Sequence, residues 1–228
     1  MFTHNFDPVL IDLYIIEVRW YSLAYIVGIL VGWIYAKKII KHLKTNSNLS
    51  YLEIKDFDDF IPYLVIGIIL GGRLGYVLIY NFDYYIKNLH EIFYVWNGGM
   101  SFHGGLIGII IATIIFTRIR KIYTFIYLDI ISCVTPIGLF LGRIANFING
   151  ELYGKTTDLP WGVIFPNVGT FARHPSQIYE AISEGLLLFI ILNFLAFRRK
   201  LIFKQGLISI YFFHPIDISI AIDFFQNN

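Results

Sequence analysis

The chain has 228 residues, 57% of them hydrophobic and only 15% charged, with a net charge of +2. Soluble domains carry about 25% charged residues, so the composition describes one integral membrane domain over 1–228 and excludes an ordinary soluble one. The small net charge argues against a nucleic-acid partner, and a lone Cys133 in an apolar run rules out an intrachain disulfide.

Residues 1–17 lack a basic region and a small-residue cleavage site, so they do not form a cleavable signal peptide. With Pro8 and alternating apolar residues they predict an interfacial segment. A spanning helix needs roughly 20 apolar residues. Six stretches meet or approach that length: 18–36, 60–80, 102–118, 123–146, 177–197 and 205–225. The last is the poorest, because it carries His214, Pro215, Asp217 and Asp223.

Twelve of the eighteen basic residues fall in the connections after spans one, three and five. The positive-inside rule then puts the N-terminus, 81–101 and 147–176 outside. Small residues recur four apart as Gly28/Gly32, Gly67/Gly71/Gly75, Gly104/Gly108 and Gly138/Gly142, a spacing that lets helix backbones approach in lipid. No inverted repeat, phosphate loop, zinc spacing or nucleophile elbow is evident.

An ionisable group inside a span is costly, and a functional role is the default hypothesis. Arg73 sits inside IPYLVIGIILGGRLGYVLIY, where a snorkelling or paired structural role is the alternative. In GRIANFINGELYG, residues 143, 146, 149 and 150 are three or four apart and share a helix face. Arg143 offers a planar donor fork to phosphate, and Asn146 and Asn149 add amides. Helix capping with an Arg143–Glu151 salt bridge is the alternative. In NGGMSFHGGLIG, His103 opens span three between glycine pairs that leave room for a ligand. It serves there as a proton acceptor or as a hydrogen-bonded helix end. In RHPSQIYE, Ser176 is a candidate cap, while Gln177 and Glu180 share a face entering the bilayer. All three clusters lie on one side, which predicts a polar pocket for a phospholipid headgroup at the outer leaflet.

The stretches RWYSLAYIVG, GGRLGYVLIY, GGMSFHGGLIG, GRIANFINGELYG and HPSQIYE together resemble the prolipoprotein diacylglyceryl transferases of the bacterial inner membrane. The resemblance covers 15–210. It implies an all-α polytopic transmembrane bundle with small extracytoplasmic arm and head segments, about six spans here and seven in the family. It implies transfer of the diacylglyceryl group of phosphatidylglycerol to the lipobox cysteine thiol of a preprolipoprotein signal peptide. A thioether forms and glycerol 1-phosphate leaves, with no metal or organic cofactor. Arg143 is implied to bind the lipid phosphate, with Asn146, Glu151 and Gly154 as further substrate-binding positions. His103 and Tyr25 are implied to be catalytic, and Arg73, Asn149, Gln177 and Glu180 are supporting candidates. The family pattern stops at 205–228, where no Arg follows Arg199. An atypical, truncated C-terminus is therefore expected, and an inactive homologue or a non-catalytic phospholipid-binding protein is the competing reading.

Overall fold

The computed structural model describes residues 2–12, 14, 17–46, 49, 52–198 and 200–213. The spans form where the apolar runs predict them. Helix α1 covers Trp20–Asn46, α2 Ile54–Gly75, the short α3 Phe82–Lys87, α4 Phe102–Arg120 and α5 Thr124–Asn149. Helix α2 runs on through a π-helical turn, Tyr76–Tyr80. A fifth apolar helix, Ser176–Arg198, is built from α6 (Ser176–Glu180), a π-helical turn (Ala181–Leu187), α7 (Leu188–Asn193) and a second π turn. These five are long and apolar enough to cross a bilayer. Of the sixth stretch only α8, Leu207–Phe213, is described. His214, Pro215, Asp217 and Asp223 lie outside the described residues. The protein is a multi-pass helical membrane bundle.

Helix α1 continues almost three turns beyond the predicted residue 36, carrying Lys37, Lys38, Lys41 and Lys44 within it. The apolar run ends there but helix propensity does not, since Lys is a good helix former. The described residues before Trp20 form strands and irregular structure rather than helix. Strand β1 (Phe2–Thr3) pairs in parallel with β4 (Val163–Ile164), which pairs with β5 (Ala172–Arg173). Strands β2 (Val9–Asp12) and β3 (Glu17–Arg19) form a separate hairpin.

The chain divides into two compact units. The first comprises 1–38 and 129–228, and the second 39–128. In the second, α2 and α4 meet through glycine. A Cβ on Gly67 would lie 2.7 Å from the Gly108 carbonyl oxygen, and one on Gly75 would lie 2.7 Å from the Gly104 Cα. Gly104 is therefore a helix-packing residue, and the space it leaves is filled by α2 rather than by a ligand. At the other end of these helices Phe57, Phe60, Phe116 and Tyr127 form an aromatic cluster, with ring centroids 5.2–5.8 Å apart. Arg120 pairs with Asp56 and Asp59 beside it.

In the first unit, a Cβ on Gly28 would stand 3.4 Å from Gly138, and one on Gly185 would strike Phe140 at 2.6 Å. Gly142 faces open space, so the small-residue pattern overstates packing there. Asn193 ties three spans: it accepts from Tyr35 Oη (2.8 Å) and donates to the Cys133 carbonyl (3.3 Å). Asp129, fully buried in α5, accepts from Gly206 N (2.7 Å) and Ser209 N (2.8 Å). A carboxylate from another helix thus satisfies the orphan amides at the start of α8.

Candidate headgroup site

Helix α5 ends where its sequence changes from apolar to amide. Gly150 adopts φ +67°, the left-handed conformation that glycine reaches without strain. Gly150 N donates to Phe147 O (3.0 Å) and Glu151 N to Asn146 O (3.1 Å), which is a Schellman closure of the helix. His4 supports it from the N-terminal segment, its Nε2 lying 2.7 Å from Phe147 O. The turn carries Glu151 over the helix end. Its carboxylate meets Asn149 Nδ2 at 3.4 Å. Arg143, almost two turns lower on α5, pairs elsewhere.

Arg143 Nη1 lies 2.8 Å from Glu180 Oε2, and Nη2 lies 3.1 Å from Glu184 Oε2. Glu151, its partner in the alternative reading, forms no ion pair with it among the described residues. Glu184 escaped the sequence reading. The signal was present: 177, 180 and 184 continue one helix face, and an acid at the third position of an apolar run is as costly as at the second. Glu184 sits in the π turn, beside Gly185, whose contact with Phe140 brings the fifth span against α5 one turn below Arg143. Single π turns inside helices occur often at functional sites. The Arg143 side chain remains 27% exposed, while Glu180 is almost fully buried.

The stretch 173–177 grips the turn that follows α5. Gly154 N donates to His174 O (2.9 Å), and Arg173 Nη1 donates to Gly154 O (3.3 Å). Ser176 Oγ donates to Leu152 O (2.7 Å), and Gln177 Nε2 to Glu151 O (2.5 Å). Ser176 therefore does not cap its helix, contrary to expectation. The carbonyl of Leu152, three residues past the end of α5, claims its hydroxyl instead. Tyr25 lies 58% exposed with its ring centroid 5.3 Å from that of Tyr21. Arg143, Asn146, Asn149, Glu151, Gly154, Gln177, Glu180 and Tyr25 thus all belong to the first unit.

His103 and Arg73 belong to the second unit. Ser101 caps α4, accepting from Gly104 N (3.1 Å), and its own N donates to Gly72 O (2.9 Å). His103 follows in the first turn, exposed, with its ring against Phe102. Arg73 is 4% exposed. Its Nε donates to Ile92 O (2.8 Å), Nη1 to Gly98 O (2.5 Å) and Gly99 O (3.3 Å), and Nη2 to Glu91 O (2.7 Å). Tyr85 covers the guanidinium at 5.2 Å. Arg73 thus clasps the arm that precedes α4. Within that arm Tyr84 Oη donates to the Glu91 carboxylate (2.7 Å), which raises the phenol's pKa. Among the described residues no three His, Cys, Asp or Glu side chains converge as a metal-ligand set.

Prolipoprotein diacylglyceryl transferase sequences match this chain over residues 8–225. The chain belongs to that family. It is 51% identical over 223 residues to the phosphatidylglycerol–prolipoprotein diacylglyceryl transferase of Rickettsia felis, covering 97% of this chain and 84% of that one. It is 47% identical to the enzyme of that name from Rhizobium meliloti, covering 89% and 73%, and 50% identical to that of Rhodopseudomonas palustris, covering 89% and 71%. Family membership covers both units, so the headgroup-like cluster around Arg143 and the His103 loop occur within one matched length.

Proposed function

We propose that this chain transfers the diacylglyceryl group of phosphatidylglycerol to the lipobox cysteine thiol of a prolipoprotein. The observation that carries the reading is Arg143: a fork-shaped cation held by two carboxylates at the mouth of apolar helices, in a member of this family. A carboxylate-paired guanidinium can exchange one oxyanion for another. A lipid phosphate replaces the Glu184 carboxylate, the longer and more exposed of the two partners, while buried Glu180 keeps Arg143 oriented.

The chemistry follows from charge. A cysteine thiol has an unperturbed pKa of about 8.5 and reacts as thiolate. The thiolate attacks the glyceryl carbon that bears the phosphate. The new bond is carbon–sulfur and the broken one is carbon–oxygen. The electron pair leaves on the phosphate oxygen, so glycerol 1-phosphate departs with one more negative charge than the diester had. Arg143 stabilises that growing charge, which is the kind of interaction that accelerates a step rather than merely binding substrate. His103 takes the thiol proton. Tyr25, Asn146, Glu151 and Gly154 shape the headgroup pocket. The peptide supplies the nucleophile, so the enzyme needs no cysteine of its own, and buried Cys133 plays no part.

In the sequence the basic connections follow spans one, three and five, whereas Arg143 and His103 stand next to the other connections. That asymmetry supports an active site facing the outer leaflet of the bacterial inner membrane, with 81–101 and 147–176 extracytoplasmic. The test is direct. The purified chain is incubated with phosphatidylglycerol and a lipobox peptide, and the peptide cysteine is expected to gain the mass of a diacylglyceryl group. Bound lipid with no mass gain would instead support a non-catalytic phospholipid-binding protein.

A further inference from the structure

Three amide oxygens in the first unit are buried without a hydrogen-bond partner among the described residues: Asn146 Oδ1, Asn149 Oδ1 and Gln177 Oε1. Asn146 is 3% exposed and Gln177 0%. Buried acceptors of this kind are rare in native proteins and call for an explanation. The Gln177 amide is not free to turn. Its other end donates to the Glu151 carbonyl, which can only accept, so the atom in contact is Nε2 and the oxygen must point the other way. The donor missing at Oε1 is therefore one that no described residue supplies.

The placement says which donor fits. Asn146 follows Arg143 by three residues on α5, and Gln177 precedes Glu180 by three on the antiparallel α6. Three helical residues rise about 4.5 Å. An amide layer thus lies one step toward the head segment from the charged layer of Arg143, Glu180 and Glu184. A phosphate on Arg143 would carry its polar substituent into that layer, within the reach of a three-carbon polyol. Building on the function proposed above, we infer that Asn146 and Gln177 accept hydrogen bonds from the hydroxyls of the head glycerol and so select phosphatidylglycerol among anionic phospholipids. Gln177 is then a specificity-determining residue, oriented by the Glu151 main chain.

The test compares phosphatidylglycerol with phosphatidylpropanol, which has the same phosphodiester charge and chains but lacks both head hydroxyls. Binding to the purified chain and transfer to a lipobox peptide are measured for each. The expected result is at least a ~10-fold preference for phosphatidylglycerol in binding, because the analogue leaves the acceptors unmet. Gln177→Met should reduce that preference several-fold, mostly by weakening phosphatidylglycerol. Equal binding of the two lipids by the parent chain overturns the inference without any variant. So does a parallel loss of both lipids in Gln177→Met, which would leave the residue only its anchor to Glu151. Tighter binding of phosphatidylethanolamine than of phosphatidylglycerol also overturns it, since the acceptors would then serve an ammonium. A preserved binding preference with no transfer would reject the transferase reading and leave this one standing.

Discussion

Arg73 and Arg143 look alike in the sequence, each an arginine near the end of a glycine-bearing apolar span, yet the structure spends them differently. Arg73 gives its guanidinium to four main-chain carbonyls and meets no carboxylate among the described residues. Arg143 is held by two carboxylates and keeps part of its side chain exposed. Carbonyl partners are fixed in the backbone, and a guanidinium bound to them holds a shape. Carboxylate partners are side chains, and a guanidinium bound to them can trade anions. Place in the sequence does not separate the two arginines; the chemistry of their partners does.

The comparison breaks most visibly at Arg143. Arg143→Gln removes the cation and is expected to lower kcat/KM for transfer by about 10³-fold, or ~4 kcal/mol of transition-state stabilisation. Arg143→Lys keeps the charge without the fork and should fall between this variant and the parent. Parent-like kinetics in both would take Arg143 out of the reaction. Arg73→Met should act on the fold instead. It leaves four carbonyls without their charged donor, at an expected cost of about 3 kcal/mol. Thermal unfolding in detergent should show the loss, with new proteolytic cuts within 81–101. An unchanged melting point would show that the clasp is dispensable.

Two smaller effects sharpen the contrast. His103→Gln should lower transfer by about 10²-fold while leaving phosphatidylglycerol binding near the parent value. If lipid affinity and turnover both match the parent, the histidine merely begins a helix. Glu184→Gln removes the carboxylate that competes with phosphate for Arg143. Lipid binding should tighten by about 3-fold, as expected for relief of one partly exposed charge pair. Weaker binding would mean that Glu184 touches the lipid itself rather than guarding its place.

The five spans and their α2–α4 glycine contacts were legible because a bilayer imposes a long, unbroken apolar pattern. The register of Arg143, Asn146 and Asn149 was legible for the same reason, since helical spacing alone puts them on one face. The alternative reading, an Arg143–Glu151 bridge, fails at a turn. Gly150 in the left-handed conformation swings Glu151 past the helix end, and a sequence reading that continued the helix through 150 misjudged its direction. Glu184 follows Glu180 by four residues on the same face, so its place was legible, while its pairing with Arg143 depends on how the fifth span packs on α5. Arg73's partners were beyond reach for another reason. Glu91, Ile92, Gly98 and Gly99 contribute main-chain oxygens from irregular turns, and any residue type could have provided them. The same holds for β1 against β4, a pairing of two residues with two across more than 150 positions.

Asp129 bears on how the chain is made. Its carboxylate enters the bilayer with α5, but the amides that satisfy it belong to Gly206 and Ser209, almost eighty residues later. Through the synthesis of the head segment and the fifth span, that acid waits inside the membrane without its native partner. The order of translation therefore makes α8 a completion signal: its arrival neutralises a defect that every shorter nascent chain still carries. Chains ending at residue 204 should be cleared from cells faster than chains ending at residue 213. Asp129→Asn should narrow the difference in pulse–chase lifetimes, because a neutral amide costs less to hold while the last helix is still in the ribosome.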